Sequence, residues 1–418
     1  MTQEELADRA GVSVRTISDV ERGLRKRLYR DTAERLADAL DMVDAQRTPF
    51  VDLARGRSSD MKRELDSEFK RRFVAWHVDR VSALADRVGD EEHWFAVLDA
   101  DEANLVVALR WADEAGDAES LLQLAAGLFQ YWQARGALTF GRGWLERGLR
   151  ARPAASCQTR MAGLWGLAWL ACQQGDDVAA ADCARELEDL AREVGDQASS
   201  RNAATVRGIV ALASQDVPTG LAAFESALQL ASDLDDRWVV ATSALNLGIA
   251  RIAAAETDEA RQLIGEALRG YDELGDERFR ARCLGYLGLA ALFDGDTLRG
   301  EALYRQSLLV FEELGEAKGI AESLTGLATA AAMRGLPTRA AQLAGASEAT
   351  RESFDGRPLP VEGRLAEAEL ARIEDQCDRD SWTAAWVSGR ALRRHEAIAV
   401  ALGDSGSAGH ERPRQVPI

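Results

Sequence analysis

Turn-forming residues return every 40 positions through most of this chain. Gly195-Asp196, Asp235-Asp236, Gly275-Asp276 and Gly315-Glu316 form one series, and Gly175, Gln215, Ala255, Gly295 and Gly335 form a second at the same spacing. Small residues keep that register, at Ala168, Gly208, Gly248, Gly288 and Ala328 in one half of each unit and at Ala180, Gly220, Ala260, Gly300 and Ala340 in the other. Apolar residues recur at Val194, Leu234, Leu274, Leu314 and Phe354. A small side chain at one register in each of two helices lets them approach closely, which a stack of helical hairpins requires. The spacing therefore predicts an α-solenoid over 117–356, with 117–156 a more diverged first unit turning at Gly136.

Composition narrows the fold class further. Eight prolines in 418 residues and no strand-like alternation of β-branched residues predict an all-α chain. Against 69 acidic residues stand 51 basic ones, a net charge of −18, so the chain as a whole is no polycation that coats nucleic acid or membrane. The cysteines Cys157, Cys172, Cys183, Cys283 and Cys377 are scattered, without a CxxC pair, which argues for a reducing compartment. No apolar run approaches the roughly 18 to 20 residues that span a bilayer, and Gln3, Glu4 and Glu5 follow Met1 where a signal segment would be basic and then apolar. A cytoplasmic protein with no membrane partner is expected.

The first 30 residues follow a different plan. Thr2-Gln3-Glu4-Glu5 is a capping box that starts a helix with Leu6, Ala7 and Ala10 on its buried face, ending near Gly11. Ser13 then caps a second helix from Val14 to Arg22, closed by Gly23, with Ile17 and Val20 turned inward. Two short helices joined by a tight turn make a helix-turn-helix. Val14, Arg15, Ser18, Asp19 and Arg22 are left on the face that would enter a major groove, and Arg22, Arg25, Lys26, Arg27 and Arg30 form a basic run suited to phosphates. Segments Asp31–Asp41 and Asp44–Arg55, each beginning at an Asp cap, complete the unit.

The stretch TQEELADRAGVSVRTISDVERG, followed by DTAERLADAL, resembles the Cro/cI-repressor (Xre) type of helix-turn-helix domain over most of residues 2–55. The resemblance implies that Gln3 meets the phosphate backbone, that Val14, Arg15 and Asp19 face base edges, and that Ser13, Thr16 and Ser18 assist at the groove. Arg22, Arg25, Lys26 and Arg27 would hold the backbone. Family members carry one more helix ahead of the TQ position, where this sequence begins; a unit without it is expected to expose the apolar faces of Leu6, Ile17 and Val20.

The segment NLGIARIAAAETDEARQLIGEAL, Asn246 to Leu268, is similar to the tetratricopeptide signature, with Gly248, Ala260 and Ala267 at its small positions. That resemblance implies a right-handed solenoid whose helices are longer than in the usual repeat of about 34 residues. DEANLVVALRWADEAGD, FGRGWLERGLRA, WTAAWVSGRAL and EAIAVAL look like the effector half of MalT-like bacterial regulators, which join a helix-turn-helix, an NB-ARC ATPase and repeats. No GxxxxGK[ST] occurs here, and Arg57–Val88 is too short for that ATPase, so neither ATP hydrolysis nor a cofactor is expected. The expected organisation is a DNA-binding domain at 1–56, connecting helices at 57–116, repeats at 117–356, capping helices at 357–402 and a disordered tail at 403–418.

Other chemistry is sparse. His77, His93, His395 and His410 stand apart, so no metal is expected. Gly141-Arg142-Gly143 reads as tight helix packing, and the acidic pairs Asp176-Asp177 and Asp235-Asp236 as helix caps at repeat turns. Trp165, Trp169 and Trp238 stand out as candidate contact residues. By tetratricopeptide register the inner groove is lined by Asn202, Thr205, Ile209, Thr242, Leu245, Ile249, Arg282, Leu289, Glu322 and Thr325, a mixed surface suited to a peptide, a protein segment or a small effector. The leading expectation is a transcriptional regulator, not an enzyme, that binds double-stranded DNA as a homodimer through its first 56 residues. Those residues are close to charge balance, so nearly all of the −18 lies in the remainder, which keeps non-specific DNA binding weak. The alternative is a protein–protein adaptor whose truncated helix-turn-helix no longer docks on DNA.

Overall fold

The computed structural model describes residues 2–22, 28–43, 47–48, 50–51, 54, 59–85, 91–151, 154–234, 236–353 and 360–403. Among these residues every regular element is helical. The chain divides into two compact units, Met1–Trp76 and His77–Ile418.

In the first unit, α1 (Gln3–Ala10) starts at the expected capping box: Thr2 Oγ1 accepts from the Glu5 amide at 3.2 Å, and Glu5 Oε2 accepts from the Thr2 amide at 2.8 Å. It stops at Gly11, whose φ of 59° is left-handed. Ser13 caps α2 (Val14–Glu21) through the Thr16 amide at 3.1 Å. The third helix, α3, begins one residue before its expected Asp31 cap: it runs Arg30–Ala39 from Tyr29 without a side-chain cap, and Asp31 lies in its first turn, where a carboxylate meets the positive helix end. Ala7, Ala10, Ile17, Leu36 and Ala39 form one buried cluster with Leu6, Val12, Leu28 and Phe50 packed against it. Ile17 is thus 3% exposed, contrary to the expected exposure, because it shares one buried cluster with Ala7 and Ala10 of α1 and Leu36 and Ala39 of α3; Leu6 and Val20 are half-buried. Most of Asp44–Arg55 lies outside the described residues.

Helix α4 (Ser59–Ala85) runs across the division, and α5 (Glu91–Ala115) leads into the second unit. Six hairpins follow: α6 (Ala118–Ala134) with α7 (Leu138–Arg150), α8 (Cys157–Gln174) with α9 (Asp177–Val194), α10 (Gln197–Ala213) with α11 (Val217–Ser232), α12 (Arg237–Ala253) with α13 (Thr257–Leu274), α14 (Glu277–Phe293) with α15 (Thr297–Glu313), and α16 (Ala317–Met333) with α17 (Pro337–Arg351). The turn residues explain the period. Gly175, Gly195, Gly275, Gly295, Gly315 and Gly335 all adopt left-handed φ, and so do Gln215 (63°) and Ala255 (60°), which pay a steric cost that glycine avoids. Asp176, Asp196, Asp236, Asp276 and Asp296 each cap the following helix through its backbone amides.

The recurrent small residues mark where the two helices of a hairpin cross. A Cβ on Gly248 would stand 2.6 Å from Ile264 Cγ1 and 3.4 Å from the Ala260 carbonyl, and one on Gly288 would stand 3.3 Å from the Gly300 carbonyl. Gly141 packs against Trp132, whereas nothing approaches Gly143, so only one glycine of that pair serves packing. The apolar residues before the inter-unit turns are not core: Val194 is 56% and Leu314 36% exposed.

Successive first helices touch one another along α8, α10, α12, α14 and α16, while successive second helices show no comparable contact, so the first helices line the inner side of the curve. That curve is tight. Lys318 Nζ on α16 donates to Gln173 Oε1 on α8 at 2.6 Å across 145 residues of sequence, and the Arg278 guanidinium lies 5.9 Å from the Phe95 ring centre. The three final helices do more than cap the stack. Helix α18 (Pro360–Glu374) touches the inner helices α10, α12 and α16 and also α17, whereas α19 (Arg379–Arg390) packs on α17 and α20 (Arg394–Leu402) on α15, α16 and α17. The approach of α19 is backbone to backbone, since a Cβ on Gly345 or Gly389 would meet the main chain of Trp386 or Gln342.

Candidate functional site

Two surfaces carry candidate chemistry. In the first unit the exposed part of α2 begins at its N-terminus, where Val14 is 43% exposed and the Arg15 side chain 89% exposed. Arg15 Nε lies 3.9 Å from Asp19 Oδ2 one turn on, an ion pair loose enough to exchange for another acceptor. Thr16, Ser18 and Asp19 are half-buried, and the Ser13 hydroxyl lies 2.9 Å from that of Thr16 as well as capping the helix. Gln3 does not stand free at the helix start: its amide donates to Glu21, tying the start of α1 to the end of α2. Arg22 is exposed at the C-cap, and Arg30 pairs with Glu34 at 2.7 Å. Arg25, Lys26 and Arg27 lie outside the described residues.

In the second unit the inner helices and α18 enclose a cavity of about 660 Å³. Of the expected groove residues, Thr205, Ile209, Thr242, Leu245, Ile249, Arg282 and Glu322 line it, and Asn202, Leu289 and Thr325 do not. Asn202 instead accepts from Arg201, which does line the cavity. Leu289 is 2% exposed in the core, in a cluster onto which Leu365 and Leu370 of α18 pack. The Thr325 hydroxyl donates to the Ala321 carbonyl at 3.0 Å and lies 2.8 Å from that of Ser347.

An aromatic wall accounts for much of the apolar lining. Trp165 and Trp169 lie 5.2 Å apart on α8, and Trp238 stands edge-on to Phe279 at 5.1 Å. The indole donors of Trp169 and Trp238 are satisfied inside the protein, Trp169 Nε1 by Gln133 at 2.7 Å and Trp238 Nε1 by Asp276 at 2.9 Å, so these two rings offer faces more than donors. The charged lining is Arg201, Arg278, Arg282, Lys318 and Arg364 against Asp177, Glu322 and Glu367. Glu316, just behind the wall, accepts from Arg278 Nε at 2.5 Å and Arg282 Nη2 at 3.2 Å. Burial alone would raise the Glu316 carboxyl, but the guanidinium groups of Arg278 and Arg282 outweigh it and hold the group below its ordinary value. Lys318 lies 3.9 Å from Glu322. Arg201 has no carboxylate in ion-pair range among the described residues, and its buried Nε has no partner.

Sequence reasoning did not single out Arg201, Arg278, Lys318 or α18. The visible signal was Arg201 beside Asn202 in a first helix; the missing information was which turns of successive helices the superhelix brings together. Burial pushes the thiol of Cys172, which lines the cavity, up to about 12, which favours the protonated form. Among the described residues no group of His, Cys, Asp and Glu could hold a metal ion, and no helix is long and apolar enough to cross a membrane.

Residues 1–46 match the helix-turn-helix family model. The chain carries an N-terminal helix-turn-helix joined to an α-solenoid. No functionally curated protein matches it. Solved structures similar to it include a Rap protein complexed with competence and sporulation factor, at 10% identity over 74% of this chain and 98% of that one, with a TM-score of 0.49. BtubC from P. vanneervenii shows 16% identity over 68% and 97%, with a TM-score of 0.37. A STAND protein with a tetratricopeptide repeat sensor from Pyrococcus horikoshii shows 11% identity over 90% and 54%, with a TM-score of 0.45. The solenoid is established by this chain's own hairpins, and these likenesses add no argument to it.

Proposed function

We propose that this chain is a sequence-specific DNA-binding transcriptional regulator whose solenoid binds an effector. One observation carries the reading: a helix-turn-helix match over residues 1–46 coincides with a unit whose second helix is capped by Ser13, anchored by buried Ile17, and left open to solvent at Val14 and Arg15. That is the arrangement a recognition helix needs, one face for the core and its first turn for base edges. In this reading residues 1–56 meet double-stranded DNA, 57–116 connect, 117–356 form the sensing repeats and 357–402 complete them. A single domain of this size buries too little DNA for selectivity, so binding as a homodimer belongs to the reading.

The test is fluorescence anisotropy of the full chain with duplex DNA from its own upstream region at two salt concentrations. Selective, salt-sensitive binding that loses its sequence preference in Arg15→Ala supports the regulator. Absence of binding by a folded chain removes it and leaves the solenoid as a protein-binding adaptor.

A further inference from the structure

We infer that the solenoid cavity takes a compact apolar ligand bearing one carboxylate, seated on Arg201 with its apolar body against Trp165, Trp169 and Trp238. This rests on the reading of the solenoid as an effector-binding unit and names the ligand chemistry of that site. The volume of about 660 Å³ falls within the span of small-molecule sites, and the wall is largely aromatic and aliphatic with a few convergent polar groups.

Charge accounting selects the anion. Arg278 and Arg282 are answered by Glu316, Lys318 by Glu322 and Gln173, and Arg364 shares its helix and the cavity lining with Glu367 three residues on. Among the described residues Arg201 has only the neutral Asn202 carbonyl as a hydrogen-bond acceptor. Desolvation pulls its guanidinium below the ordinary value, with Asp236 the charge that acts against this. A largely buried cation with no carboxylate in ion-pair range is costly, and a ligand carboxylate recovers that cost through two parallel N–H···O bonds. The other anion donors close by are already taken: at the start of α10, which carries Arg201, the amides of Ala198 and Ser199 both donate to Asp196 Oδ1. One guanidinium without helix-end amides suits a monoanion better than a phosphate dianion. The internally satisfied indoles leave ring faces for the rest of the ligand.

Such a carboxylate belongs either to a free small acid or to the end of a short apolar peptide. Calorimetric titration of the full chain with 4-phenylbutyrate and its amide, and with acetyl-Leu-Leu-Phe as free acid and as amide, separates the two. The expected result is a preference of about tenfold or more for acid over amide in the tighter-binding pair, which names the source. The preference should collapse to about twofold in Arg201→Gln and persist in Arg201→Lys, while Trp238→Leu weakens acid and amide together. Unchanged thermal unfolding of the variants checks that the fold is intact. Equal affinity for acid and amide, or an acid preference that survives Arg201→Gln, overturns the anion seat and leaves an apolar effector groove in place. Failure of all four probes to bind overturns both the anion seat and the effector reading of the cavity, while DNA binding, measured without ligand, stands or falls separately.

Discussion

The exposed face of α2 and the solenoid cavity are built on opposite plans. On α2 the residues that matter lie within one or two turns of each other, on a short helix whose ends are set by Thr2, Gly11 and Ser13. In the cavity, Gln173 meets Lys318 across 145 residues, and Arg282 is neutralised by a glutamate 34 residues away. A local surface tolerates a change at an exposed position at little cost in stability. A site assembled from distant repeats places its charges in the same cluster that holds the helices together, so chemistry and stability are coupled there.

The largest expected effect tests that coupling. Glu316→Gln leaves Arg278 and Arg282 without their shared carboxylate, and urea unfolding of the solenoid should show a loss of about 3–5 kcal/mol. A loss below about 1 kcal/mol would mean that the cavity charges are as independent of the fold as those on α2. The pH dependence has a defined sign. Because the folded carboxyl titrates below its ordinary value of 4.5, the stability it contributes is complete above that value and is lost as pH falls through the folded one. Acid titration of wild type against Glu316→Gln should therefore show a shallower decline in the variant.

Next in size is Arg15→Ala, expected to reduce discrimination between operator and mismatched DNA by about 1–3 kcal/mol while leaving the unfolding midpoint unchanged, because the side chain is almost wholly exposed. A shift in the midpoint would show that α2 is not the local surface described. Smaller still, Ala255→Gly should stabilise the solenoid by about 0.5–1 kcal/mol, since it relieves a left-handed residue that Gly175 and Gly295 accommodate without strain in other repeats. Equal stability would mean that the Ala255 turn has already relaxed around its side chain.

The contrast also explains what could be read from the sequence. Helix ends were legible because caps and left-handed turns are set by single residues: Ser13, Asp236 and Gly195 act where they stand. The hairpin crossings were legible because a small residue at a fixed register has one packing use, as at Gly248 and Gly288. Groove membership was legible only in part, because it depends on how the inner helices curve and on what else lies against them. Thr205, Thr242 and Leu245 reach the cavity, but Leu289, at the register of Ile209 and Ile249, is buried in a core onto which Leu365 and Leu370 of α18 pack. No periodicity announces that a helix beyond the last repeat turns back along the inner face, so α18 and the unanswered Arg201 emerged only in three dimensions.

Hydrogen–deuterium exchange on the full chain, with and without duplex DNA from its own upstream region, tests the division of labour most directly. Protection confined to the amides of α1 and α2, with the inner helices α8 to α16 unchanged, is the expected result. Protection centred on the inner helices, or none in α1 and α2 under conditions where the DNA is bound, would contradict it.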